Sequence, residues 1–273
     1  MRVGRIPWIN CYPVYGAIDR GLVPLPGELV SGTASELNDL LAAGELQVSV
    51  VSAVEYARNA AAYHLLPDLA ITCDGPVHSV ALFARRPPAE LDGRTVLLTA
   101  SSRTSVLLLE LLCRHRWGVT PRFAVARAEA SDLESLAGLP HDGVLVIGDA
   151  ALMLAARDRY PVRIDLGAEW KAWTGLPFVF AVWVAQRTAP VAEALGIHAS
   201  LITSRNWGLE HLPTLATQAS QATGVSEPVC LEYLSGLDYG LSYEHLAGLT
   251  EFFRRLVAAG RVPNGTLAFL PAA

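Results

Sequence analysis

The sequence predicts an α/β fold of two lobes around a central ligand cleft, and three observations carry that expectation. The first half of the chain repeats one unit, a short apolar strand followed by a polar helix start and an apolar helix. Two Pro-marked passages, Ala84-Arg-Arg-Pro-Pro88 and Thr174-Gly-Leu-Pro177, each adjoin an apolar strand, the pattern of a chain that crosses between lobes. At 273 residues and 52% hydrophobic, the chain can bury a substantial core in one large domain or in two lobes.

Taken in order, Leu29–Ser31 reads as a strand leading through Thr33-Ala-Ser-Glu36 into a helix that ends at Gly44. Residues 47–51 lead likewise through Ser52-Ala-Val-Glu55 into a helix reaching about Ala62. Both tetrapeptides fit the S/T-x-x-E capping box, in which the hydroxyl and the carboxylate satisfy opposite backbone N–H groups. Residues 77–83 read as a strand with Val77, Ser79, Ala81 and Phe83 on one face and His78 on the other. The apolar run from Thr95 enters a helix through Thr99-Ala-Ser-Ser-Arg-Thr-Ser105, and residues 144–147 enter another through Gly148-Asp149, with Asp149 as its N-cap. The apolar run 178–185 is a further strand. Beyond Pro190 the pattern turns helical, with Leu246, Leu249, Phe253 and Leu256 at three- and four-residue spacing, as for helices packed outside the first lobe. These readings assign residues 1–83 plus 181–273 to one lobe and 88–176 to the other, with crossings near 84–88 and 174–181.

The turn from Thr99 to Ser105 holds five hydroxyls, those of Thr99, Ser101, Ser102, Thr104 and Ser105, together with the cation of Arg103. One hydroxyl is enough to cap a helix. Five at a helix start, where backbone N–H groups are unpaired and the dipole favours negative charge, point to a small anion. Ser31, Thr33, Ser52, Gly148 and Asp149 also follow strands, and in open sheets such loops line the ligand crevice.

A formal net charge of −5 and no basic run exclude a nucleic-acid-coating surface. No segment of about 18 apolar residues suggests a membrane span, and the N-terminal sequence lacks the apolar stretch of a signal peptide, so a cytoplasmic protein is expected. Cys11, Cys73, Cys113 and Cys230 are widely spaced, without C-x-x-C or a nearby His, so four reduced thiols are expected and no metal site. Trp8, Tyr12, Trp173 and Phe178 read by default as core. Oligomeric state is left open, a homodimer included.

Seven segments occur together in order: I-P-W-I-N-C-Y-P-V-Y (6–15), V-S-A-V-E-Y-A (51–57), L-L-P-D-L-A-I (65–71), G-P-V-H-S-V-A-L-F (75–83), S-R-T-S-V (102–106), L-V-I-G-D-A-A-L (145–152) and T-G-L-P-F-V-F-A-V-W (174–183). In this ordered set the chain resembles the chorismate dehydratase family of the futalosine route to menaquinone. The resemblance implies a type 2 periplasmic-binding-protein-like fold used as an enzyme. It implies chorismate as substrate and loss of water to give 3-[(1-carboxyvinyl)oxy]benzoate, a carbon–oxygen lyase reaction that needs neither metal nor redox cofactor.

On that reading Asn10 and Ser79 are the catalytic candidates. The Asn10 amide can donate to an anion and accept from the substrate hydroxyl, although an Asx-turn before Pro13 is its simplest structural role. Ser52, Ser101, Ser102, Arg103, Thr104, Ser105, Gly148, Asp149 and Thr174 are the candidate substrate contacts, with Thr104 and Ser105 favoured for one carboxylate; for Arg103 a solvent-facing or interdomain role is an equal alternative, because neighbouring side chains at a helix start point in different directions. His78 reads as structural, Asp149 is an alternative base, and no Ser-His-Asp, H-E-x-x-H or G-x-S-x-G pattern supplies a conventional one. The substrate's own enolpyruvyl carboxylate is therefore the expected proton acceptor, positioned by Asn10 and Ser79. Two alternatives stay open: a solute-binding protein for a small carboxylate, and the related 1,4-dihydroxy-6-naphthoate synthase.

Overall fold

Short apolar strands alternating with helices build two five-stranded sheets in the computed structural model, which describes residues 1–157 and 159–272. Asp158 and Ala273, which fall in the expected lobe ranges, lie outside the described residues. The chain begins with β1 (Arg2–Arg5), α1 (Tyr12–Asp19), β2 (Glu28–Ser31), α2 (Ala34–Ala42), β3 (Val48–Ser52), α3 (Ala53–Asn59) and β4 (Tyr63–Cys73). It continues through β5 (Val80–Ala84), β6 (Thr95–Thr99), α4 (Arg103–Leu111), β7 (Arg122–Ala126), α5 (Leu133–Ala137), β8 (Gly143–Ile147), α6 (Gly148–Ala155), β9 (Val162–Asp165) and α7 (Leu166–Thr174). It closes with β10 (Phe178–Gln186), α8 (Val191–Glu210), α9 (Leu212–Thr223), α10 (Glu227–Gly236) and α11 (Tyr243–Ala258).

The first sheet has the order β2-β1-β3-β10-β4 and the second β7-β6-β8-β5-β9. In each, three parallel strands are followed by one antiparallel strand and an edge strand. The antiparallel member is in both cases the strand that enters from the other lobe: β10 after the second sheet is complete, β5 after β4. The two lobes thus repeat one topology and face each other through the loops after their parallel strands. Those are the strand ends where ligand crevices form in open α/β sheets.

Strand β5 belongs to the second sheet, pairing antiparallel with both β8 and β9. The sequence pattern places residues 77–83 with the first lobe and the first crossing near 84–88. The passage between sheets instead runs through residues 74–79, where Gly75 and His78 hold positive φ (123° and 61°). Pro87-Pro88 only starts a short 3-10 turn within the second lobe. A proline pair marks a bend, and the partner a strand then finds is set by pairing distant in sequence.

Local signals account for the helix starts that flank the cleft. Thr33 caps α2 in a complete capping box with Glu36. Ser52 caps α3 by accepting from Glu55 N–H, and Ser102 caps α4 by accepting from Ser105 N–H. Helices α8 to α11 cover the first lobe, where Trp183, Tyr15, Phe178 and Phe252 are among the largest fully buried side chains. Leu249 and Leu256 of α11 are buried as their spacing predicts. All four cysteines are free and buried.

Candidate active site

The cleft between the sheets is lined from the first lobe by Trp8, Asn10, Cys11, Ala34, Ser52 and Phe180, and from the second by Ser101, Ser102, Ser105, Ile147 and Gly148, with Ser79 on the crossing. Among the described residues, none lining it is charged. Its polar groups are hydroxyls, one amide, and the backbone at the starts of α2, α3, α4 and α6, so negative charge would be met by dipoles.

Asn10 lies in a 3-10 turn, Ile9–Cys11, that leads into α1. Its Oδ1 is buried and has no hydrogen-bond partner among the described residues. A buried polar atom left unpaired is costly, so this oxygen marks a place for a donor from outside the chain. Across the cleft, Asp149 Oδ1 accepts from Ile9 N–H at 3.2 Å and ties that turn to α6. Burial, and to a lesser degree Glu129, raises the Asp149 carboxyl to about pKa 6 against the pull of the Ile9 hydrogen bond. The expected N-cap role is not what Asp149 performs: residue 147 is the N-cap of α6, no side chain caps it, and Asp149 reaches the other lobe instead.

Ser79 precedes β5 rather than lying within it, so the expected strand alternation does not govern its direction. Its N–H donates to Val77 C=O at 2.7 Å across His78, whose φ of 61° is rarely adopted by a residue with a side chain. Asp165 stabilises this tight turn by accepting from Val77 N–H (3.1 Å) and His78 N–H (2.6 Å) while it also caps α7. Gly148 N–H donates to Ser79 C=O at 2.7 Å, and Tyr233 Oη donates to Ser79 Oγ at 2.9 Å. Gly148 itself has φ 62°, and a Cβ there would meet the Trp8 ring at 3.3 Å.

The hydroxyl-rich turn divides its groups between two tasks. Ser101, Ser102 and Ser105 face the cleft; Ser101 Oγ donates to Glu129, and Ser102 Oγ donates to Ser105 Oγ at 3.1 Å. Thr104 and Arg103 turn instead to the other lobe. Thr104 Oγ1 accepts from Val54 N–H at 3.0 Å, and Arg103 Nη1 donates to Glu55 Oε2 at 2.8 Å. Glu55 is only 3% exposed and also accepts from Asn59, so its carboxylate is committed to the ion pair and does not close the expected capping box with Ser52. Thr104, expected as a substrate contact, therefore joins the lobes, and Arg103 takes the interdomain alternative of its two expected roles, because successive helix residues point about 100° apart.

Thr174 does not line the cleft. It sits at the end of α7, where Oγ1 donates to Trp170 C=O at 2.9 Å and accepts from Leu176 N–H. Ser31 and Thr33 are likewise occupied, by Arg5 and by the α2 cap. Trp8 lines the cleft, whereas Phe178 is buried in the aromatic core and Trp173 stacks under Arg255. Tyr233 is the contact that sequence reasoning missed, since no strand-end pattern points to a tyrosine on a late helix. A separate groove of about 590 Å³ lies between α3, α11 and residues 263–267, away from these strand ends. Among the described residues no group of three or more His, Cys, Asp or Glu could hold a metal ion, and no helix is long and apolar enough to cross a membrane.

Comparison with known proteins places this geometry. The sequence profile of a family described as menaquinone biosynthesis matches residues 1–258. The chorismate dehydratase of Thermus thermophilus is 35% identical over 237 residues, covering 81% of this chain and 84% of that protein. Protein AF1704 from Archaeoglobus fulgidus has a similar structure, with a TM-score of 0.79 at 19% identity over 96% of this chain and 98% of that one. The alkanesulfonate-binding protein SsuA from Xanthomonas axonopodis pv. citri, bound to MOPS, aligns with a TM-score of 0.70 at 13% identity, covering 98% and 96% of the two chains. The two-lobed architecture is thus that of the periplasmic binding proteins, and by profile and by sequence the chain belongs to the menaquinone biosynthesis family.

Proposed function

We propose that the chain is a cytoplasmic chorismate dehydratase, a carbon–oxygen lyase that removes water from chorismate to give 3-[(1-carboxyvinyl)oxy]benzoate in menaquinone biosynthesis. The observation that carries the proposal is the unpartnered Oδ1 of Asn10 in a cleft that also presents Ser79 and a triad of serines but no charge, in a chain 35% identical to a chorismate dehydratase. Chorismate brings two carboxylates, a ring hydroxyl and an enol ether. Ser105 Oγ, oriented by the hydrogen bond it accepts from Ser102, and the backbone at the start of α4 offer hydrogen bonds to one carboxylate, each contributing roughly 1.5–3 kcal/mol to a charged acceptor. Ser52 and the starts of α3 and α6 can serve the other.

Dehydration breaks the C–H bond at the ring carbon bearing the ether, forms the ring double bond from its electron pair, and releases the neighbouring hydroxyl with that proton as water. Aromatisation drives it; the protein supplies orientation and preorganised dipoles. The lining supports a base from the substrate. Cys11 is the titratable side chain among the described lining residues that lies nearest Asn10 in sequence, and burial pushes its thiol up to about 12, so it stays protonated. Asp149 lies outside the lining, with Oδ1 accepting from Ile9 N–H. The enolpyruvyl carboxylate, held beside the ring by donation from the Asn10 amide N–H while Ser79 faces the departing hydroxyl, then accepts the proton and passes it to that hydroxyl.

The test is to incubate purified protein with chorismate and follow products by mass. Loss of one water with the enolpyruvyl ether retained is the expected result. Tight binding of unchanged chorismate would instead favour a solute receptor of this fold.

A further inference from the structure

Tyr233 is carried by helix packing to Ser79, behind the cleft lining. It lies on α10, is 2% exposed, and donates from Oη to Ser79 Oγ at 2.9 Å. Among the described residues Ser79 Oγ is the only acceptor for the Tyr233 proton, and Ser79 Oγ donates to no other protein group. The serine backbone is held as well: its N–H is bound to Val77, its C=O to Gly148, and the preceding two N–H groups to Asp165. What remains free is rotation of the hydroxyl, and Tyr233 removes that freedom.

We propose that Tyr233 is a positioning residue for the dehydration, occupying a lone pair of Ser79 Oγ so that the serine's own O–H is turned into the cleft toward the oxygen that leaves. The inference rests on the chorismate reading above. A hydroxyl that accepts one hydrogen bond becomes a better donor of the next, because the two bonds polarise each other. Burial raises the tyrosine well above its ordinary range, so it remains a donor throughout the working pH range. No net proton transfer passes through the pair: Ser79 hydrogen-bonds the departing oxygen, which takes the ring proton and leaves as water, and Tyr233 and Ser79 end as they began.

The test is a double-mutant cycle of Tyr233→Phe and Ser79→Ala, read as kcat and KM with chorismate alongside thermal melting. Tyr233→Phe is expected to lower kcat by about 10- to 100-fold with KM changed less than about threefold. In the Ser79→Ala background the same substitution should lower kcat no further, since its effect passes through the serine. Wild-type kcat in Tyr233→Phe, or an equal loss in both backgrounds, overturns the inference. Should the phenylalanine variant fail to fold, Tyr233→3-fluorotyrosine keeps the shape and strengthens the donor. A kcat raised in the wild-type background and unmoved in Ser79→Ala supports the inference, and the same response in both backgrounds, or in neither, defeats it. A wild-type protein that leaves chorismate intact defeats the dehydratase reading instead.

Discussion

An amide oxygen buried without a partner costs a folded protein about 1–3 kcal/mol, and Asn10 Oδ1 bears that cost at the mouth of α1. Function is the natural reason to keep it. Asn10→Ala should therefore lose activity without losing stability: kcat/KM for chorismate falls by about 100-fold or more, while the melting temperature stays level or rises. A variant that melts early and keeps wild-type turnover would assign Asn10 to the fold instead. Asp149, which holds the same turn from the opposite lobe, leaves a different signature. Its carboxyl keeps a proton up to about pH 6 in the fold, against 3.8 in the unfolded chain. Between those values the folded state binds more protons, so this group's contribution to stability declines as pH rises through the window and is flat above it. Asp149→Asn keeps an acceptor for Ile9 N–H and removes the titration. The unfolding free energy of wild type minus variant should fall by about 2 kcal/mol from about pH 4 to pH 7, and a difference that does not change with pH would show the carboxyl to be unperturbed.

At the scale of elements, the starts of α3 and α4 meet across the cleft, Thr104 Oγ1 on Val54 N–H and Arg103 on the buried Glu55. These contacts tie the two lobes together. Thr104→Val keeps the volume, removes the acceptor, and disfavours closure by about 1–2 kcal/mol, so KM should rise roughly 5- to 30-fold with kcat nearly kept. Equal KM would show that closure does not depend on this bond. The same helices show what could be read from sequence. Their caps at Ser52 and Ser102, like that of α2 at Thr33, follow local rules, and the serines after β6 stand where loops beyond parallel strands belong. The sequence leaves Arg103 divided between the anion and the other lobe, and the use of Thr104 is not legible at all, because a hydroxyl at a helix start suits a ligand and a facing helix equally well. Membership of β5 in the second sheet depends on pairing with β8, some sixty residues on, and Tyr233 reaches Ser79 only through the packing of α10. Neither leaves a periodic trace.

For the whole molecule, the consequence of this architecture is anion recognition without a cation in the cleft. Two lobes of one topology bring several helix starts to one space, and the described lining carries no charge inside a chain of net charge −5. Partial charges at helix termini act within about one turn, where added salt does not reach once the lobes have closed. The net negative field outside opposes the approach of a dianion and is weakened by salt. The two effects together predict that KM for chorismate stays within about twofold, or falls, as monovalent salt is raised from about 0.05 to 0.5 M. A site built on exposed arginine or lysine would behave in the opposite sense, because screening removes the long-range attraction that draws the substrate in. Steady-state kinetics across that range decide between them: a KM that climbs tenfold would place a cation at the substrate and return Arg103 from the lobe contact to the anion.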